Sequence, residues 1–475
     1  MTSNGPESLP ANTVFPAGFA WGAATAAYQI EGGAAEDGRG QSIWDTFSRI
    51  PGKVRGGDTG DIACDAYHRY ADDVDLMSSL GLTAYRFSIS WPRVQPGGRG
   101  PLNPKGLDYY RALLDRLADR GIKAAATLYH WDLPQELQDE GGWAARESAD
   151  RFADYAAAMA RELGDRVWSW ITLNEPQVVA NSGYREGLHA PGLQDPVAAA
   201  TATHHLLLAH GLAASALRAN LPGGTPVGIT LDLHPVKVLG DEAALEPGRA
   251  QLDANLNGLF LEPLLRGRYP EEASPGLLPP DAVIASGDLA IVSQPLDFLG
   301  ANYYSSVYLR AGDPADLRQH EVKPRTDRAG VVEYRPPQFE VTPMGWLVDA
   351  DGLYDLLMRL SKDAPGLPLY ITENGRANED YINPEGAVHD PERVRYLHQH
   401  LSAAARAISD GVNLAGYFAW SLLDNFEWGW GYQKRFGIVF VDFGSQRRIP
   451  KTSARFYSGV VRANAVPPLP ADAAR

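Results

Sequence analysis

The sequence is short of the features that mark disulfide-rich, nucleic-acid-binding and membrane proteins. Cys64 is the single cysteine in 475 residues, which excludes an intramolecular disulfide, a cysteine metal cluster and a Cys-X-X-Cys redox pair. Positive charge is scarce as well: 43 Lys and Arg against 58 Asp and Glu give a formal net charge of −15, with no basic block. That balance argues against nucleic acid or an anionic membrane as the main partner, and it suits a monomer or an assembly equally. No apolar run is long enough to span a bilayer, and the first ten residues lack the basic start and apolar stretch of a signal peptide. The expected location is therefore the cytoplasm. There is no glycine-rich phosphate loop, and no His-X-X-X-His or similar ligand set accompanies the carboxylates, so neither a metal nor a cofactor is expected.

What the chain does contain is a recurring unit: an amphipathic helix, a glycine, then an apolar strand ending in polar or aromatic residues. Leu107, Tyr110, Leu114 and Leu117 fall at helical spacing ahead of Gly121, and a strand over 122–128 then runs into Tyr129-His130-Trp131. Val394, Leu397, Leu401, Ala405 and Ile408 repeat the stripe, Gly411 closes it, and a strand over 414–419 leads into Trp420-Ser421. Strands are predicted at 19–24, 82–87, 122–128, 167–173, 227–231, 296–301, 369–372 and 414–419. Eight strands alternating with helices predict a single closed parallel (β/α)₈ TIM barrel over 14–465, with flexible segments at 1–13 and 466–475. A doubly wound sheet is the alternative, and it would call for a topological switch point. In a barrel the functional residues sit at the C-terminal strand ends, which here fall near Gln29, Arg86, His130, Asn174 with Glu175, Asp232, Asn302 with Tyr304, Glu373 and Trp420. The polar connections 305–352 and 422–450 are expected to fold over the mouth and shape a pocket.

Two of these strands end in glutamate. Leu369-Tyr370-Ile371-Thr372 stops at Glu373, followed by Gly375, which is expected to permit a sharp turn; Trp170-Ile171-Thr172-Leu173-Asn174 stops at Glu175, and Pro176 bars a central strand from continuing. Either glutamate alone could anchor a structural salt bridge. Two at equivalent strand ends point to paired carboxylates.

Eight separated motifs then agree. They are Phe19-Ala20-Trp21-Gly22 with Tyr28-Gln29-Ile30-Glu31-Gly32, Tyr85-Arg86-Phe87-Ser88-Ile89-Ser90-Trp91-Pro92-Arg93, Leu128-Tyr129-His130-Trp131-Asp132-Leu133-Pro134, Thr172-Leu173-Asn174-Glu175-Pro176, His189-Ala190-Pro191-Gly192, Gly300-Ala301-Asn302-Tyr303-Tyr304, Ile371-Thr372-Glu373-Asn374-Gly375 and the run from Trp420 to Trp428. Over nearly its whole length the chain resembles glycoside hydrolase family 1, the β-glucosidase and β-galactosidase family. Retaining glycosidases use one carboxylate as nucleophile and a second as general acid, about 5–5.5 Å apart. The resemblance implies Glu373 as nucleophile and Glu175 as acid, with Arg86 and Tyr304 touching the nucleophile. It implies sugar binding by Gln29, His130, Asn174, Glu427 and Trp428, stacking on Trp420, and a cis peptide at Trp420-Ser421. A satisfied core histidine and a core-filling tryptophan are the plainer readings of His130 and Trp420.

The resemblance further implies unphosphorylated sugars, because Glu427 stands where relatives acting on 6-phosphoglycosides carry a small hydroxyl residue; Lys434 occurs in both groups and is neutral evidence. On the leaving-group side the chain departs from the family. Gln177 follows Glu175-Pro176 where tryptophan is common, and Trp346 matches a position that often forms a platform there, with ordinary packing as the alternative. Arg376 replaces a small or apolar residue and is expected to pair with Glu379 or Asp380. The expected activity is that of a cofactor-independent, retaining β-glucosidase on small β-glycosides, with side activity on β-galactosides or β-fucosides. A transglycosidase using the same intermediate and a catalytically silent sugar-binding barrel are the alternatives.

Overall fold

The computed structural model describes residues 14–471, 473 and 474; the segment 1–13, expected to be flexible, lies outside the described residues. Eight strands close into a barrel, all in parallel register: β1 (Ala20–Ala24), β2 (Ala84–Ser88), β3 (Lys123–Tyr129), β4 (Ser169–Asn174), β5 (Val227–Asp232), β6 (Phe298–Asn302), β7 (Leu369–Asn374) and β8 (Leu414–Trp420). Closure is direct, since β1 pairs with β8 on one side and β2 on the other. These are the eight predicted strands, with ends displaced by one or two residues, most often toward the C-terminus. The displacement has a simple cause: Asn174, Asp232, Asn302 and Asn374 still belong to the hydrogen-bonded ladder, although asparagine and aspartate are depleted in strands.

Helices surround the barrel because their apolar stripes have nowhere else to go. In the helix Pro104–Asp119, Leu107, Tyr110, Leu114 and Leu117 are all buried. In Pro391–Ser409 the buried set includes Val394, Leu397, Leu401 and Ala405, and the chain leaves through Gly411 at φ 98°, a left-handed conformation suited to glycine. The long connections hold strands of their own, outside the barrel. Val236–Leu239, Val307–Ala311, Val331–Tyr334 and Glu321–Val322 form a four-stranded sheet in that order, and Val439–Asp442 pairs with Arg447–Pro450 as an antiparallel hairpin. No helix among the described residues is long and apolar enough to cross a membrane. Of the C-terminal tail, the Ala473 carbonyl accepts a hydrogen bond from Arg395 at 3.0 Å.

Two expectations are corrected. Gly375 does not adopt a positive φ; it is needed because the Trp420 carbonyl oxygen would lie 1.8 Å from any Cβ placed there, so the ends of β7 and β8 can approach only at glycine. Arg376 pairs with Glu340 at 2.6 Å, not with Glu379 or Asp380. Asp380 is already taken by Arg393 (2.7 Å) and Lys451 (2.5 Å).

Those contacts belong to a buried ionic network that ties the loop after β7 to the loop after β8. Lys451 also binds Asp424 (2.7 Å), Asp424 binds Arg435 (2.7 Å), and Arg393 binds Asp390 as well. Removing one member of such a network strands the others without solvent, which costs about 3–5 kcal/mol. Lys451→Met should therefore lower the denaturation midpoint markedly; an unchanged midpoint would show that the network is not stabilising.

Candidate active site

The two glutamates owe their placement to irregular strand ends. Along β7 the register with β6 slips between Ile371 and Glu373, and along β4 the register with β5 slips between Ile171 and Asn174. Such bulges re-aim the residues beyond them. Glu175 itself sits at φ 47°, and Trp131 and Trp428 are left-handed as well, at φ 79° and 46°. Each such non-glycine conformation costs on the order of 1–3 kcal/mol and persists only where its surroundings hold it.

One hydrogen-bond network connects both carboxylates. The Arg86 guanidinium, reaching in from β2, donates through Nη1 to Glu373 Oε1 (2.6 Å) and to the Thr372 carbonyl (3.0 Å), and through Nη2 to Asn174 Oδ1 (2.6 Å). The Tyr304 hydroxyl donates to Glu373 Oε2 at 2.7 Å, so both oxygens of Glu373 are held. Asn302 Nδ2 donates to Glu175 Oε1 at 2.6 Å and to Asn174 Oδ1 at 3.1 Å, while its own Oδ1 accepts from the Thr372 hydroxyl at 2.8 Å. With Asn174 Oδ1 so engaged, Asn174 Nδ2 is the donor to His130 Nε2 (3.0 Å), which leaves the ring proton of His130 on Nδ1.

The electrostatics separate the pair. Burial raises the Glu175 carboxyl well above the usual range, Asp232 and Glu373 add to it, and the Asn302 and Arg86 contributions do not cancel the rise. Burial raises Glu373 too, but Arg86 and Tyr304 oppose it, so Glu373 is the member that ionises first. Burial and Glu373 push Glu427 up to about 8. Burial, helped by Arg86, keeps His130 far below the ordinary histidine range and therefore neutral.

Around the carboxylates lie buried polar atoms with no partner among the described residues. Gln29 donates to the Phe426 carbonyl (2.8 Å) and Asn425 Oδ1 (3.1 Å), leaving its Oε1 unbonded; His130 Nδ1 and Glu427 Oε2 are likewise buried and unpartnered. Orphaned donors and acceptors of this kind fit a ligand carrying several hydroxyl groups. Aromatic surface adjoins them: the His130 ring is stacked 5.8 Å from Trp420 and 6.1 Å from Trp428, and Trp131 lies 4.5 Å from Trp428. The Trp420-Ser421 bond is cis. Trp346 is half-buried, 5.1 Å from Tyr304 and 6.0 Å from Phe436. Gln177 is buried on the turn beyond Glu175 and donates to the Asp232 carbonyl at 2.6 Å. Lys434 is engaged with the Pro343 carbonyl at 2.8 Å. Among the described residues no group of three or more His, Cys, Asp or Glu side chains has the arrangement of a metal site.

Three contributors escaped the sequence reading. Asn302 was visible only as a strand end beside Tyr304, and Asp232 only as the end of β5; a polar residue closing an apolar barrel strand was the available signal for both. Trp131, whose indole N–H donates to the Asn174 carbonyl at 3.0 Å, was overshadowed by its neighbour His130.

Comparison with known proteins agrees with the barrel fold. The family model for glycosyl hydrolase family 1 matches residues 11–466. A thermostable β-glucosidase B from Thermobispora bispora is 52% identical over 453 residues, covering 95% of this chain and 91% of its own. A bifunctional β-D-glucosidase/β-D-fucosidase from Bifidobacterium breve is 46% identical, covering 94% and 97%. The family 1 β-glucosidase structure from Thermotoga maritima superposes with a TM-score of 0.88 at 44% identity, covering 96% of this chain and 99% of that one, and the same enzyme with deoxynojirimycin gives 0.87 at 44%, covering 95% and 99%. The chain belongs to glycosyl hydrolase family 1.

Proposed function

We propose that this protein is a retaining β-glucosidase that cleaves terminal unphosphorylated β-D-glucosides by double displacement, with Glu373 as nucleophile and Glu175 as acid and then base. The observation that carries the reading is the contrast between the two carboxylates. Glu373 is held at both oxygens by a guanidinium and a phenol, whereas Glu175 receives one amide hydrogen bond and no ion pair among the described residues. An ionised carboxylate beside a protonated one is the pairing a glycosidase needs.

In the first step a Glu373 oxygen bonds to the anomeric carbon, the glycosidic bond breaks, and the Glu175 proton goes to the departing oxygen. Esterification removes the negative charge of Glu373, one of the influences that keep Glu175 protonated. Glu175 is then free to act as a carboxylate base. It takes a proton from water as the water oxygen attacks the anomeric carbon, the ester bond breaks, and both glutamates return to their starting states. Gln29, His130, Asn174 and Glu427 bind hydroxyls in this reading, and Trp420 lies beneath the ring. Preference for unphosphorylated sugar is supported by Glu427, whose buried Oε2 has no partner among the described residues and suits a sugar hydroxyl. Side activity on β-fucosides is supported by the bifunctional relative. Transfer to an added alcohol would proceed through the same glycosyl ester.

Steady-state kinetics test the assignment. On 4-nitrophenyl β-D-glucoside, Glu373→Gly should lose about 10⁴-fold or more in kcat. Glu175→Ala should lose about 10²–10⁴-fold in kcat/KM on alkyl glucosides, and little on 2,4-dinitrophenyl glucoside, whose leaving group needs no proton. Equal losses on both substrates would refute Glu175 as the acid, and a wild-type preference for the glucoside 6-phosphate would refute the role of Glu427.

The pH profile provides a second test. The Tyr304 hydroxyl stabilises ionised Glu373, so Tyr304→Phe raises the Glu373 pKa and the acidic limb of kcat/KM should move to higher pH. Movement to lower pH would contradict the reading.

A further inference from the structure

A half-buried histidine that the reaction leaves unused stands just past the end of β5, against the Asp232 carboxylate. Asp232 closes β5, where its register neighbour on β6 is Asn302, the residue whose amide reaches Glu175. The Glu175 backbone N–H donates to the Thr230 carbonyl of β5 at 2.9 Å, and Gln177 Nε2 donates to the Asp232 carbonyl at 2.6 Å. The end of β5 and the turn bearing the acid are thus one bonded unit. Asp232 Oδ2 lies 3.0 Å from His234 Nε2, and Asp232 Oδ1 is buried without a partner. His234 is fixed in turn by Asn257, which accepts from its backbone N–H at 2.9 Å and donates to its carbonyl at 2.8 Å. Gln177, Asp232 and His234 line a common cavity of about 470 Å³.

The partners of the imidazole decide its charge. Nδ1 lies 3.1 Å from the Ser305 carbonyl oxygen and Nε2 lies 3.0 Å from the Asp232 carboxylate. Both are acceptors. A neutral ring has one N–H and can satisfy one of them, whereas the imidazolium satisfies both. Electrostatics point the same way, since burial works against the charged ring but Asp232 outweighs it and holds His234 above the ordinary histidine range.

We propose that Asp232 and His234 act on Glu175 as an imidazolium–carboxylate positioning pair, the carboxylate favouring the protonated acid and the imidazolium restraining that effect. The proposal rests on Glu175 being the acid of the glucosidase reaction. With the pair intact, the imidazolium offsets part of the Asp232 charge that Glu175 faces; with either member removed, the other acts on it alone. Glu175 also faces Glu373 and Arg86, and His234 faces Arg325. Arg185, Glu186, Lys323 and Asp327 border the same cavity. All of these remain when the pair is altered, so the pair sets the sign of the change.

The test is the alkaline limb of kcat/KM on an alkyl glucoside, which reports loss of the Glu175 proton in the free enzyme. Asp232→Asn should move that limb to lower pH and His234→Gln should move it to higher pH, each by about one unit. A purely structural role would not give opposite signs. Shifts in the same direction, or no shift in folded variants, would overturn the proposal. Nitrogen-15 spectra of His234 in the unaltered protein give an answer that needs no variant to fold: protons on both ring nitrogens near neutral pH support the pair, and a single N–H overturns it. Absence of wild-type turnover on the plain glucoside would instead refute the reaction itself and leave the protonation state of His234 still readable.

Discussion

The site depends on one buried cation. The Arg86 side chain is only 1% exposed, and it spends its donors on Glu373, Asn174, the Thr372 carbonyl and the Thr127 hydroxyl, which come from three other strands of the barrel. A guanidinium inside a protein is tolerable when its hydrogen bonds and its counter-charge are supplied together. The barrel supplies both because its strand ends converge on one mouth. In return the cation fixes the angle at which β7 presents its glutamate and the way Asn174 turns its amide, and through Asn174 the tautomer of His130.

From that constraint the opposite character of Glu175 follows. Among the described residues Arg86 has no bond to Glu175, whose one donor is the neutral amide of Asn302. Burial therefore acts on Glu175 with little to oppose it, and the charge on Glu373 adds to the effect. Two glutamates of identical intrinsic chemistry are thus set apart, Glu373 the easier to ionise and Glu175 the harder, through which neighbours each was given. The left-handed backbone at Glu175, Trp131 and Trp428 belongs to the same design, since a site whose groups must point inward accepts conformations that a structural loop would avoid.

The surroundings serve to keep this arrangement from relaxing. The ionic network of Lys451, Asp380, Arg393, Asp390 and Asp424 locks the loops that follow β7 and β8, the latter carrying Glu427 and Trp428 toward the mouth. Close approach at Gly375 brings those strand ends together from the inside. On the far side, Gln177 binds the end of β5, where Asp232 holds His234, to the turn that carries Glu175. Unbonded atoms on Gln29, His130 and Glu427 are then held in place before any ligand arrives, so that binding requires little ordering of the protein.

Much of this was written in the sequence. The helical stripe of Leu107, Tyr110, Leu114 and Leu117 and the apolar runs ending in Asn174-Glu175 and Thr372-Glu373 are local patterns, and local periodicity determines which segments become helix or strand and which residues stand at strand ends. Barrel architecture and the two glutamates therefore needed no coordinates. Partner choice was a different matter. Arg376 finds Glu340, 36 positions away, because Asp380 is already held by Arg393 and Lys451, and competition among buried charges has no local signature. Gly375 answers to a carbonyl on another strand, and Asn302, Asp232 and His234 acquire their roles only where β4, β5 and β6 lie side by side. The sequence by itself determined the strands and what stands at their ends; the tertiary structure alone decided which of those groups touch, because hydrogen bonds and desolvation act across strands that the chain brings together only on closing the barrel.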